Sequence, residues 1–314
     1  MRRVAVYGAA NIDIHAVCFN KFVPADSNPG HSYISMGGVG RNIAENCARL
    51  GLCVDLVTVI GDDELAAIAV GDCSKNGIGL EQSLFLKNAT TPRYICTLDN
   101  DGSLVGAVAA MEALDSFSVT EFEKRTDAGD MADLIVFDAN LPEAVIAAAC
   151  LRWNTKTLFF DPVSVAKAGK ALNCLGSFSI IKPNLQESLL LADLDQKAEP
   201  AFVAAKACAE TLHRRGVREV FVSLGHLGLF YFSGSGCGIV RPLDMPVVNV
   251  SGAGDAASAG IVWACFSDCD TLQKARYAVA SASLCASSAE TVSKKLSCKH
   301  LEELAKEVKH ESIS

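Results

Sequence analysis

The chain has 314 residues, 50% of them hydrophobic and 20% charged, with a formal net charge of −8. That composition belongs to a folded protein with little disorder, and the lack of clustered Lys/Arg excludes a polymeric nucleic acid as the expected partner. No run of eighteen apolar residues occurs, so no membrane span is expected. The 13 cysteines contain no C-x-x-C pair and read as reduced, buried thiols of a cytoplasmic protein, with neither a disulfide framework nor zinc.

The opening residues, MRRVAVYGAANIDIH, begin with basic and apolar residues as a leader does, but Asn11, Asp13 and His15 interrupt the apolar stretch, which reads instead as a first strand. Further β-rich runs follow in order: VDLVTVIG, ADLIVFDAN, TLFFDP, SIIKPN and EVFVSLG. Helical periodicity lies between them, as at Arg41–Leu50 and Ala201–Arg215. Met245–Val250, MPVVNV, reads as a strand entering a helix at DAASAGIVWACF, and the terminal ELAKEVKHESIS as a polar tail or a last helix. This alternation predicts an α/β fold, a mostly parallel sheet with helices on both faces. Two segments, approximately 14–36 and 90–111, break the alternation; they are rich in strand and turn signals, DNDG among them. They are expected to form a small β-sheet lid on a single domain spanning 1–314, although two ordinary edge hairpins fit the same periodicity.

Ligands of parallel α/β sheets bind beyond the carboxyl ends of the strands. Here those ends carry Asn11 and Asp13, Asp138 and Asn140, Asp161, Lys182 and Asn184, Ser223 and Gly225, and Asn249–Asp255. In the stretch NVSGAGDAASAG, the amides of Gly252, Ala253 and Gly254 are expected to be unpaired donors at a helix start, an anion site beside the carboxylate of Asp255. A general base and an anion hole together are what phosphoryl transfer to an alcohol requires. Taken alone, an aspartate at that position merely stabilises its helix. A second glycine cluster, GGVGRNIAENCARLG, lets backbone approach a ligand at Gly37 and Gly38 and offers the Asn42 amide to hydroxyls. Neither a dinucleotide fingerprint after the first strand nor a G-x-x-x-x-G-K-[ST] loop is present.

With Gly37, Gly38, Gly40, Asn42, Ala44, Gly51 and Gly61 in one signature, NVSGAGDAASAGIV in another, and KPNLQE and SLGHLG between them, the chain resembles the ribokinase-like (PfkB) carbohydrate and nucleoside kinases over nearly its whole length. The resemblance implies that Asp255 is the catalytic base with Gly252, Ala253 and Gly254 as its anion hole. It implies that Asn11, Asp13, Gly37, Gly38, Asn42 and Asn140 bind the sugar. Asn184, Ser223, Gly225 and Gly228 would serve the nucleotide, ATP, and Glu187 would hold Mg²⁺ through water. PADSNPG at Pro24–Gly30, with DPVS at Asp161–Ser164, is similar to the pseudouridine-kinase branch, which implies phosphorylation of a nucleoside 5′-hydroxyl and base contacts from Ser27, Asn28 or Arg93 on the lid. The family's lid also implies a homodimer surface. Two departures stand out: Ala66 replaces a frequent glycine, and Asn249 replaces an aspartate that helps hold an activating K⁺. Ribose, another sugar or another nucleoside are alternative substrates; a kinase-like binding protein without turnover and a nicotinamide dehydrogenase are alternatives of other classes.

Overall fold

The computed structural model describes residues 2–195 and 199–312. In chain order the strands begin β1 (Arg3–Tyr7), β2 (Asn11–Cys18), β3 (Gly30–Gly37), β4 (Cys53–Val57), β5 (Val59–Ile60), β6 (Ile78–Gly79), β7 (Leu84–Phe85) and β8 (Arg93–Leu98). They continue with β9 (Leu104–Ala110), β10 (Leu134–Asp138), β11 (Thr157–Asp161), β12 (Ile180–Ile181), β13 (Glu219–Ser223), β14 (Leu229–Ser233), β15 (Gly236–Val240) and β16 (His310–Ser312). The longer helices are α1 (Val39–Arg49), α2 (Glu64–Lys75), α3 (Glu143–Arg152), α4 (Leu185–Ala192), α5 (Ala201–Arg214), α6 (Ala253–Ala264), α7 (Thr271–Ala286) and α8 (Cys298–Glu307).

A ten-stranded sheet runs in the order β16-β15-β14-β13-β12-β11-β10-β1-β4-β6. It is parallel from β6 across to β13 and antiparallel from β13 to β16. Strand β1 shows why its apolar run does not alternate with polar residues: both of its faces are buried. Ala5 and Tyr7 join a cluster with Phe122, Phe137 and Trp153, while Val4 and Val6 join one with Ile43, Cys47 and Ile261. Tyr7 stacks on Phe137 with ring centroids 5.7 Å apart, and its hydroxyl donates to Arg125 O at 2.8 Å, so the polar tip of this buried ring is satisfied. Burying each large aromatic or aliphatic side chain in such a core is worth about 1.5–3 kcal/mol. Helices α6 and α7 approach closely because position 260 has no side chain; a Cβ there would stand 2.7 Å from Tyr277 O.

The second sheet, β3-β2-β8-β9, is the expected small sheet, and it begins at Asn11. Its turn at Asp99–Gly102 forms as DNDG predicts, with Gly102 at φ +84°. Cross-strand register separates its two faces. Ile34, Ile14, Ile95 and Val108 lie in one row, and Tyr33, His15, Cys96 and Ala107 in the next, which points the opposite way. Two aspartates anchor the entry to β8: Asp62 accepts from the amides of Asn88 and Ala89, and Asp63 takes the amide and hydroxyl of Thr91 together with the guanidinium of Arg93.

Two expectations need correction, and a third alternative is decided. Met245–Val250 is not a strand: the segment has no regular structure and bends at Val248, with Val247 and Val250 about 70% exposed and lining a cavity, so its apolar residues face that cavity and not a sheet. The run VDLVTVIG breaks after Val57, and β5 leaves the large sheet to pair with β7. The terminal segment forms α8 and then β16, which pairs with β15 at the sheet edge.

Candidate active site

Two cavities open at the carboxyl ends of the parallel strands, on either side of the turn that starts α6. The first, about 580 Å³, is bounded by Asp13, His15, Tyr33, Ser35 and Tyr94 from the small sheet, by Arg41 of α1, and by Asn249 and Ser251. The second, about 420 Å³, is bounded by Ser223, Gly225, Gly228, Val250, Ala253 and Gly254, with Val279, Ala282 and Ser283 from α7. Residues 251–254 therefore form the wall between a polar cavity and an apolar one.

The turn holds its shape because Gly252 sits at φ +79° with its Cα face against Thr291 O, where any Cβ would overlap that oxygen. The Ala253 amide donates to Val250 O at 3.2 Å. Sequence reasoning counted that amide in the anion hole; it is already spent. The amides of Gly252, Gly254 and Asp255 make no protein hydrogen bond among the described residues, so among the open donors of this helix start Asp255 takes the place of Ala253.

Asp255 lies just inside α6, partly accessible, behind that wall and lining neither cavity. Its Oδ2 accepts from Asn42 Nδ2 at 2.8 Å. Asn42 Oδ1 in turn accepts from Arg41 Nη1 at 3.0 Å, and since a guanidinium can only donate, the Asn42 amide must turn its NH₂ toward the carboxylate. Arg41 is itself held by Glu45 and by Asp72, the latter at 2.6 Å. Burial pushes the Asp255 carboxyl up to about 7; Asp161 adds to the rise, and the Asn42 bond and Lys182 oppose it. A carboxylate with a pKa near neutrality suits a general base.

Lys182, at the end of β12, is buried with its Nζ 3.3 Å from Asp161 Oδ2, and a Cβ on Gly254 would stand 3.6 Å from that nitrogen. Burial alone would discharge it, yet Asp161, Glu187 and Asp255 hold its pKa above the ordinary lysine value. Asp161 is fixed in turn by Ser258 Oγ at 2.8 Å and by the Val163 amide at 3.0 Å. Asp138 is buried and accepts from the amides of Ala9 and Gly40 at 2.9 and 2.8 Å, which ties the end of β1 to the start of α1. Asp138, Asp161 and Lys182 were visible in the sequence as strand ends, but nothing there gave them partners; Arg41 carried no signal at all.

The other sequence candidates divide. Asp13 lines the larger cavity, with Asn11 Nδ2 donating to its Oδ1 at 2.5 Å, and burial raises its pKa. Gly37 lies opposite Asn11 in the ladder, where a Cβ would overlap the Asp13 carboxylate, and Gly38 (φ +96°) caps α1. Ser223, Gly225 and Gly228 line the smaller cavity. Asn140 lines neither: its Oδ1 accepts from Lys167 Nζ at 2.5 Å. Asn184 and Glu187 form a capping box at the start of α4, in which Glu187 Oε2 accepts the Asn184 amide at 2.8 Å and Oε1 its side-chain NH₂ at 2.7 Å. Ser27 and Asn28 occupy an exposed turn, with Asn28 folded back on Val23 at 2.8 and 2.9 Å, and neither reaches a cavity. Arg93 is engaged by Asp63 and by Thr91 O. Besides Asp13, the small sheet brings His15, Tyr33, Ser35, Met36 and Tyr94 to the larger cavity, with the rings of His15 and Tyr33 stacked 4.5 Å apart and His15 Nε2 3.2 Å from Ser35 Oγ.

Comparison with known proteins gives the family and the fold. Residues 1–297 match the model of the pfkB family of carbohydrate kinases. A pseudouridine kinase from Escherichia coli is 31% identical over 261 residues, covering 82% of each chain. One from Arabidopsis thaliana is 26% identical over 71% of this chain and 63% of its own. Among solved structures, a carbohydrate kinase from Agrobacterium tumefaciens superposes with a TM-score of 0.87 at 28% identity, covering the whole of both chains. An Arabidopsis thaliana ribokinase solved with ribose and ATP shares the fold, with a TM-score of 0.80 at 22% identity over 98% of this chain and 99% of that one.

Proposed function

From the premise that this chain belongs to the pfkB family of carbohydrate kinases and is an ATP-dependent phosphotransferase, we propose that it phosphorylates the 5′-hydroxyl of a ribonucleoside, pseudouridine in the first place. The observation that carries this reading is the wall at 251–254, which has a cavity rich in charged side chains on one side and a mostly apolar one on the other and leads into the first turn of α6, where Asn42 holds the Asp255 carboxylate. The acceptor nucleoside takes the polar cavity, its ribose hydroxyls on Asp13. ATP takes the apolar one, its adenine against Val279 and Ala282 and its phosphates directed to the open amides of Gly252 and Gly254. The acceptor oxygen gives its proton to Asp255 and bonds the γ-phosphorus, and the bond from that phosphorus to the bridging oxygen breaks, so that ADP leaves with the electron pair. Lys182 beside Gly254 offsets the negative charge of the moving phosphoryl group.

Among the described residues no group of three or more His, Cys, Asp or Glu side chains is placed to hold a metal ion directly, so Mg²⁺ would be met only through water. Asp161, Glu187 and Asp255 give the site more carboxylate than Lys182 neutralises, and a hydrated Mg²⁺ bound through water asks for no dedicated cage. Glu187, its oxygens already held by Asn184, would meet it through water. When bound, the ion neutralises the phosphates. Pseudouridine is favoured over ribose by the two named relatives and by the size of the acceptor cavity, whose His15, Tyr33, Ser35 and Tyr94 border more space than a pentose fills. The far row of the small sheet exposes Ile34, Ile95 and Val108, which supports pairing of two copies through this lid. Free thiols at all 13 cysteines and dependence on ATP suit the cytoplasm. The test is incubation with Mg·ATP and equimolar pseudouridine, uridine, cytidine, adenosine and ribose, with the products identified by mass and chromatography. Pseudouridine 5′-phosphate is expected to dominate, and preferential formation of ribose phosphate or another nucleotide would overturn the substrate assignment.

A further inference from the structure

The segment Asn249–Gly252 lies against the turn that follows α7, and this contact fixes the loop carrying the open amides. The family resemblance, which sets an aspartate where this chain has Asn249, would imply a monovalent cation bound among backbone oxygens here. The oxygens present fit one poorly: protein donors already point at them, with Thr291 O and Ser251 O sharing the single S–H of Cys285, and none of them belongs to a carboxylate that would offset a cation's charge. Ala286 O accepts the amides of Val248 and Asn249 at 2.8 and 3.1 Å. Ala289 O accepts Asn249 Nδ2 at 3.2 Å. Thr291 O and Ser251 O both lie within reach of Cys285 Sγ, at 3.2 and 3.7 Å. The Asn249 amide cannot turn over without loss, since its Oδ1 accepts from the Ser251 amide at 3.0 Å. A carboxylate at 249 would add negative charge beside Ala289 O and call for a cation between them; the carboxamide instead supplies its own partly positive NH₂. The buried Cys285 thiol, pushed up to about 12, remains an S–H donor at neutral pH.

We propose that the Asn249 amide and the Cys285 thiol do in this chain what a bound monovalent cation would do, clamping the 249–252 loop to the 286–291 turn, so that the enzyme works without K⁺. The inference concerns the loop alone and holds whichever nucleoside or sugar is the acceptor. The experiment compares thermal midpoints in about 0.1 M KCl and in tetramethylammonium chloride at the same ionic strength, for the wild-type protein and for Asn249→Asp, with nucleotide-dependent turnover recorded in parallel. The wild-type midpoint is expected to differ by less than about 1 °C between the two salts, and its turnover by less than about two-fold. Asn249→Asp is expected to gain a K⁺-specific rise of about 2–4 °C. A K⁺-specific rise in the wild-type midpoint or turnover overturns the proposal even if the variant does not fold, and so does a folded Asn249→Asp protein that ignores K⁺.

Discussion

Replacing Asp255 by Asn removes the proposed base and also a destabilised ionisation. In the folded protein the carboxyl pKa stands at about 7, against an ordinary value of 3.8, chiefly because burial disfavours the charged form. A carboxyl whose pKa is raised on folding contributes stability that is fully present below about pH 4 and is lost as the pH rises through about 7. Holding it ionised above neutrality therefore costs the fold about 4 kcal/mol. The carboxamide keeps the shape and can still accept the Asn42 bond, yet it cannot ionise. Asp255→Asn should thus be more stable than wild type by about 4 kcal/mol near pH 8 and by about 1.5–2 kcal/mol near pH 5. At about 2 °C per kcal/mol for a chain of this size, the gain in melting midpoint is about 8 °C at the higher pH and about 3 °C at the lower. Turnover should fall at least 10²-fold, the smaller part of what general-base action supplies. Calorimetric or fluorescence melts of both proteins at the two pH values make the test, since other titrating groups cancel in the difference. A gain that is equal at both pH values, or a loss at pH 8, would refute the account of Asp255.

Removing the Asn42 donor in Asn42→Ala should move the acidic limb of the kcat–pH profile upward, because the bond it makes lowers the Asp255 pKa; an unshifted limb would separate the two residues. Lys182→Met leaves Asp161 buried without its cation, so a loss of about 3–5 kcal/mol in unfolding free energy is expected, with a drop in kcat. Near-normal kcat in the folded variant would dissociate Lys182 from the phosphoryl group. Val108→Glu, on the exposed row of the lid at 63% accessibility, should convert a dimer to a monomer in light scattering, while a wild-type monomer would dispose of the lid interface.

The sequence by itself determined the layered architecture, because apolar strands buried on both faces alternate with helical periods and no other arrangement satisfies both. The glycine at position 252 was legible too: only a glycine permits its φ of +79° and its approach to Thr291 O. Tertiary structure decided what each polar strand end does. Asn184 and Glu187 read as ligands of the nucleotide site and are joined to one another in a cap; Asn140 is taken by Lys167; Asn28 folds onto its own turn. Arg41 proved to orient Asn42, and Asn249 to hold Ala289, through partners 31 and 40 residues away in sequence. The apolar run at Met245–Val250 has the composition of a strand, but it lies at the surface beside an apolar cavity that its side chains line. A residue type states which bonds a side chain can make, and only the fold brings up the partner that takes them.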